Sequence, residues 1–199
     1  MPLWAPQWLR WPQGCLEKEN QLLTIAIIGA GPLGRWLAVR AARSGCRVFL
    51  EDVLPGTLHH AREEIRRRLS AEVLGGESIE FVHTIEDAVR EADLAIDCVP
   101  DELESKLEIL WLLDRMSPPQ TVFATPTTQL SIEDLAACTY RAGQCIAIAA
   151  APTVLAELED ATGAAIPLKT GPATTAATVE LVSEFWRRLG FRPEVDSEG

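Results

Sequence analysis

From residue 24 onward the apolar positions fall into short unbroken runs, and each run is followed by a polar stretch with helical spacing. TIAII at 24–28, RVFL at 47–50 and LAIDCV at 94–99 have no polar alternation, as strands covered on both faces require. Between them, Leu33, Leu37 and Ala41 recur at the spacing of one helix face, and that helix stops at Ser44 and Gly45. Residues 57–74 read as a charged amphipathic helix closed by Gly75 and Gly76, and 79–82 as a short strand. Thr84 caps a helix running to Ala92 with acids in its first turn, and a helix over 103–116 ends at Pro118 and Pro119. Strands follow at 121–125, 145–149, 165–169 and 191–195, with helices at 132–138, capped by Ser131, and at 175–189, ended by Gly190. Strands alternating with helices at this spacing predict an α/β fold, a doubly wound and mostly parallel sheet in a single domain over 21–199.

Residues 1–20 differ in character. Trp4, Trp8 and Trp11 alternate with Pro2, Pro6 and Pro12, a density of proline that excludes a regular helix. The stretch lacks the basic start and apolar centre of a signal peptide. Its tryptophans predict an arm lying on an apolar surface of its own domain or across a homodimer interface.

Composition narrows the function classes. The chain has 199 residues, 47% of them hydrophobic, enough for one proper core. A formal net charge of −11 opposes nucleic acid and anionic membrane surfaces as partners, and no apolar run has the length of a membrane-spanning helix. The five cysteines are scattered without metal-ligand spacing, as expected of free thiols in a reducing cytoplasm. No metal site is expected.

The strongest chemical signal is GAGPLG at the end of the first strand. In the pattern G-x-G-x-x-G, Gly29 permits the tight strand-to-helix turn, Gly31 lets backbone approach a pyrophosphate, and Gly34 lets the helix pack close to the strand. Pro32 and Leu33 open that helix, whose N-terminal N–H groups suit a phosphate. The second strand runs into Glu51 and Asp52, and an acid at this distance binds the adenosine ribose hydroxyls. Strand alternation sends the two carboxylates to opposite faces, so one alone reaches the ribose, and Asp52 is the expected one. Asp52 would also repel a 2′-phosphate, and Val53, Leu54 and Pro55 supply no compensating cation. The expected cofactor of this Rossmann-type domain is therefore NAD rather than NADP.

From Ile25 to about Val195 the sequence resembles the N-terminal, NAD-binding domain of the 3-hydroxyacyl-CoA dehydrogenases. IAIIGAGPLG, ADLAIDCVPDELESKLEIL, TVFATPTTQLSIEDLA and the closing helix and strand carry the resemblance. It implies that Gly29, Gly31, Gly34 and Asp52 hold pyrophosphate and ribose. It also implies that Val99, Pro100 and Asp101 lie at the nicotinamide ribose, and that Lys106 matches a family lysine one helical turn further on. Asp101 can serve equally as a helix-capping acid, and Lys106 as a solvated lysine on a helix face.

The departures from that family concern chemistry. The family's catalytic histidine stands in a G-L-H-F-F-N-P string, where this chain reads AIAAAP at 147–152, so the histidine position falls on Ala149 and the asparagine is deleted. Of the family's Asn-Thr-Ser turn, Pro126, Thr127 and Thr128 remain, and Thr128 is the one hydroxyl left as a catalytic candidate. Glu157, Glu159 and Asp160 are candidates for the histidine-orienting acid. His59, His60 and His83 lie elsewhere, with His83 nearest the expected cofactor edge. The helical hairpin that helps bind acyl-CoA is truncated around 74–78, and the family's second, helical domain does not follow. Two readings stay open. One is an NAD(H)-binding protein without hydroxyacyl-CoA dehydrogenase activity. The other is an NAD-dependent oxidoreductase acting on a 3-hydroxyacyl-CoA or another small hydroxy or carbonyl substrate, either alone or with a separate helical partner.

Overall fold

The computed structural model describes residues 22–69, 78–158 and 162–197. The tryptophan-rich arm, Gly75, Gly76, Glu159 and Asp160 fall outside the described residues, and with them the expectations placed there. Eight strands form one sheet: β1 (Thr24–Ile28), β2 (Arg47–Glu51), β3 (Ile79–Val82), β4 (Leu94–Asp97), β5 (Val122–Pro126), β6 (Cys145–Ile148), β7 (Ala165–Thr170) and β8 (Arg192–Ser197). Their order across the sheet is β3-β2-β1-β4-β5-β6-β7-β8. The first six are parallel, β7 runs antiparallel to β6, and β8 is parallel to β7. The doubly wound, mostly parallel sheet is as expected.

The helices among the described residues are α1 (Pro32–Arg43), α2 (Pro55–Arg68), α3 (Ile85–Val89), α4 (Leu103–Met116), α5 (Ile132–Ala136), α6 (Pro152–Ala156) and α7 (Ala176–Arg188). Strand alternation sorts them into two layers. Ile25 and Ile27 of β1 face one core with Leu37 of α1, Leu58 of α2, Leu155 of α6 and Trp186 of α7. Ala26 and Ile28 face the other with Ala88 of α3, Leu110 of α4 and Leu135 of α5. Both faces are covered, which is why the strands read as unbroken apolar runs. On the first face Trp36, Phe185, Trp186 and Phe191 form a cluster that ties α1 to the last helix, with Trp186 and Phe191 centroids 5.7 Å apart.

Helix ends follow local chemistry. The side chains of Thr84, Ser131 and Thr175 accept the N–H of Asp87, Asp134 and Thr178 and so start α3, α5 and α7. Two expectations need correction. The helix expected over 57–74 begins at Pro55, whose fixed φ suits a first helical position, and ends at Arg68, where Leu69 turns extended with ψ of 130°. α6 was not expected, because a five-residue helix carries too few turns to show periodicity.

The chain leaves β1 toward β2 and β3, then returns to place β4 on the opposite side of β1. That reversal opens a crevice at the carboxyl ends of β1 and β4, the place where ligands of such sheets bind.

Candidate functional site

Each glycine of the turn after β1 has a different steric reason to be there. Gly29 has φ of +104°, and a Cβ on it would also lie 3.2 Å from the Cys98 carbonyl oxygen. Its N–H donates to the Glu51 carbonyl at 2.9 Å. A Cβ on Gly34 would fall 1.9 Å from the Gly29 carbonyl oxygen, so α1 sits against its own entry turn as no other residue would allow. Gly31 is the opposite case: a Cβ there meets nothing within 4 Å. The protein does not need that glycine for packing. Space is kept open at the N-terminus of α1, a helix of 12 residues with no side chain capping its first N–H groups.

Asp52 closes the turn from the β2 side. Its Oδ2 accepts the Ala30 N–H at 2.9 Å and its Oδ1 accepts the Leu54 N–H at 2.9 Å. The carboxylate thus fixes the glycine turn while lining a cleft of about 370 Å³. That cleft is bounded by Gly29, Gly31, Pro32 and Leu33, by Asp52 and Thr57, by Cys98, Val99 and Pro100, and by Pro152 and Thr153 of α6. Of the expected cofactor residues, Gly34, Asp101 and Lys106 are not among the walls. Cys98, Thr57, Pro152 and Thr153 are walls that the sequence did not announce. The first two flank recognised elements, but α6 reaches the cleft only through the tertiary fold.

Glu51, by contrast, is buried, at 5% exposure. Burial, and then the neighbouring Asp52 charge, push its carboxyl up to about 7. Asp101 stands just beyond Pro100. Its Oδ2 accepts the Thr128 N–H at 3.2 Å, while its Oδ1 is shielded from solvent with no hydrogen-bond partner in the protein. The protein thus leaves one carboxylate oxygen unsatisfied next to Pro100 of the cleft wall.

Lys106 differs from both roles considered for it. It is neither solvated nor a wall of the cleft: its side chain is completely buried, with Nζ 3.0 Å from Asp97 Oδ1. Its ammonium is committed inside the fold.

Among the described residues, the acid–base candidates Thr128, Glu157 and His83 do not line the cleft. Ala149, the position that the resemblance gives to the family's histidine, donates its N–H to the Pro167 carbonyl at 2.8 Å and offers only a methyl group. Thr128 is exposed and anchored by its backbone to Asp101. Glu157 is exposed at the end of α6. His59 and His60 sit on the outer side of α2, and His83 shares a separate hollow with Pro55, Leu58, His59 and Arg62. Cys98 is the one thiol on the cleft wall, and burial followed by the Asp97 charge pushes it far above the ordinary thiol range. Among the described residues no cluster of histidine, cysteine and carboxylate side chains could hold a metal ion.

Comparison with known proteins agrees with this geometry. The family model described as the NAD-binding domain of 3-hydroxyacyl-CoA dehydrogenase matches residues 24–194. An L-carnitine dehydrogenase of Oceanobacillus iheyensis is 27% identical over 86% of this chain and 56% of its own length. A 3-hydroxybutyryl-CoA dehydrogenase of Bradyrhizobium diazoefficiens is 30% identical over 87% of this chain and 61% of its own. The crystal structure of a 3-hydroxyacyl-CoA dehydrogenase from Archaeoglobus fulgidus superposes with a TM-score of 0.73 at 26% identity, covering 88% of this chain and 56% of that one. The chain thus spans little more than half the length of these relatives. With its glycine turn, its acid at the end of β2 and a cleft at the sheet's switch point, this chain belongs to the 3-hydroxyacyl-CoA dehydrogenase family and represents that family's NAD-binding domain.

Proposed function

We propose that this chain binds NAD(H) across the cleft and does not by itself turn over 3-hydroxyacyl-CoA substrates. The pyrophosphate lies over Gly31 and the first turn of α1, where a Cβ would meet nothing in the protein. The adenosine ribose hydroxyls would reach Asp52, and the nicotinamide ribose would lie along Val99 and Pro100. Bound there, the cofactor supplies hydride chemistry. The protein supplies position and an apolar wall from Val99, Pro100 and Pro152.

The observation that carries the second half of the proposal is the wall itself. Among the described residues, Asp52 and Cys98 are its only titratable members; one is engaged by two backbone N–H groups and the other is held as a neutral thiol. Loss of a positioned general base lowers a proton-coupled step by roughly a hundred- to ten-thousand-fold. The test is NADH oxidation with acetoacetyl-CoA, followed by absorbance. Turnover below 1 s⁻¹, against a usual enzyme median of about 10 s⁻¹, is expected. Turnover at or above that median removes the proposal.

A second reading, an oxidoreductase completed by a separate helical partner, draws on one feature. Val53, Leu54, Leu103 and Val154 are large exposed aliphatics, and each adjoins or closely follows a cleft-side residue in sequence. Apolar groups around a cleft mouth favour a covering partner. Restoration of acetoacetyl-CoA reduction by a co-purifying helical chain supports this reading; no gain in rate with that chain refutes it.

A further inference from the structure

A single carboxylate joins β4, β5 and α4 behind the Cys98–Pro100 wall of the cleft. Asp97 ends β4 and is completely buried. Its Oδ1 pairs with Lys106 Nζ of α4 at 3.0 Å, and its Oδ2 accepts the Thr125 hydroxyl of β5 at 2.5 Å. Val99, a wall of the cleft, follows two residues further along the chain. Lys106 and Thr125 are themselves fully buried, so both are fixed by the core around them.

The segment these bonds hold is short. Cys98 N–H donates to the Ile28 carbonyl at 2.7 Å, and Glu102 N–H donates to the Pro100 carbonyl at 2.8 Å. Asp101, between them, takes the Thr128 N–H from the turn after β5. Residues 98–102 are therefore anchored to β1 and to the turn after β5, and the residue that precedes them, Asp97, is tied to β5 and α4. A buried ion pair with hydrogen bonds on both oxygens contributes little net stability over an apolar pair, but it fixes geometry in a way that apolar contacts do not.

We infer that Asp97, held by Lys106 and Thr125, is a positioning residue for the nicotinamide half of the cofactor, setting where Val99, Pro100 and Asp101 stand against it. The inference rests on the cofactor reading above. The adenosine half depends on a different set of groups: the glycine turn and Asp52, both on the β1–β2 side. The two halves of the ligand thus report on separate parts of the protein. ADP carries the adenosine and two phosphates but no nicotinamide ribose. Disruption of the network should weaken NAD while sparing ADP.

The experiment compares NAD and ADP affinities by calorimetry for the full chain and three variants. Asp97→Leu/Lys106→Met removes both charges together, so none is left buried and unpaired. Thr125→Val removes one donor, and Thr125→Ser keeps the hydroxyl. The double variant is expected to lose tenfold or more in NAD affinity, with ADP within twofold of wild type and melting within a few degrees of it. Thr125→Val should lose about threefold for NAD alone, and Thr125→Ser should match wild type. Equal losses for ADP and NAD would make the network a general stabiliser of the fold and overturn the inference, as would wild-type NAD affinity in the double variant. A double variant that fails to fold passes the decision to the two Thr125 variants, whose NAD-to-ADP ratio either differs between valine and serine or overturns the inference. A wild-type protein that binds ADP but gains nothing from the nicotinamide half overturns it too, and one that binds neither removes the cofactor reading itself.

Discussion

Replacing Gly31 and Gly34 in turn separates what the glycine turn does for the ligand from what it does for the fold. At Gly31 the backbone has φ of −67° and ψ of −175°, which any residue adopts, and a Cβ meets nothing within 4 Å. A Gly→Val change there gains a little from a less flexible unfolded chain, about 0.4–1 kcal/mol, and loses a similar amount because valine is a poor helix N-cap. Melting should barely move. For NAD the same methyl groups fill the space over the first N–H groups of α1. Loss of one or two hydrogen bonds to a charged phosphate, about 1.5–3 kcal/mol each, weakens binding by roughly ten- to ten-thousandfold. At Gly34 the order reverses. A Cβ 1.9 Å from the Gly29 carbonyl oxygen must push α1 away from the turn, and such overpacking costs about 1–3 kcal/mol or more. In a chain of this size that lowers Tm by roughly 2–12 °C. Calorimetric titration with NAD alongside thermal melts of Gly31→Val and Gly34→Ala reads both effects. Gly31→Val binding NAD within threefold of wild type would falsify the placement of the pyrophosphate. A Gly34→Ala protein as stable as wild type would refute the close packing.

Two further outcomes follow from the acids at the end of β2. Asp52→Ala should bring NADPH affinity closer to that of NADH by removing the charge that opposes a 2′-phosphate, at a cost in overall affinity because Ala30 and Leu54 N–H lose their acceptor; an unchanged preference ratio in competition titrations removes Asp52 from that role. Glu51 has a folded pKa of about 7, raised above the unfolded carboxylate value, so the native state holds its proton more tightly than the unfolded chain. Stability linked to this group is therefore greatest at low pH and falls as pH rises from about 4.5 to about 7, by on the order of 3 kcal/mol in full. Urea melts should show Glu51→Gln gaining more over wild type at pH 8 than at pH 5; an equal difference at both pH values refutes the buried, proton-holding carboxyl.

Much of this fold was legible in the pattern of residues alone. The unbroken runs at 24–28 and 94–99 had to be strands covered on both faces, since unpaired backbone and bare apolar side chains have no other economical arrangement. Caps at Thr84, Ser131 and Thr175 marked helix starts because a side-chain oxygen bonding a nearby N–H is a local event. The glycine spacing and the acid after β2 foretold a dinucleotide cleft for the same reason: the turn, the helix N-terminus and the strand end all lie within one βαβ unit.

What the sequence left undetermined lay in contacts between distant segments. Lys106 reads as one more helix lysine until β4 brings Asp97 to within 3.0 Å of its ammonium. The approach of α6 to the glycine turn and the orphaned oxygen of Asp101 both depend on which elements the sheet order makes neighbours. Local patterns determine which elements form, since caps, turns and periodicity act over a few residues. Tertiary structure alone decided which charges are buried, which are paired and which face the cleft, because desolvation and Coulomb energy depend on distances in space that the chain order does not contain.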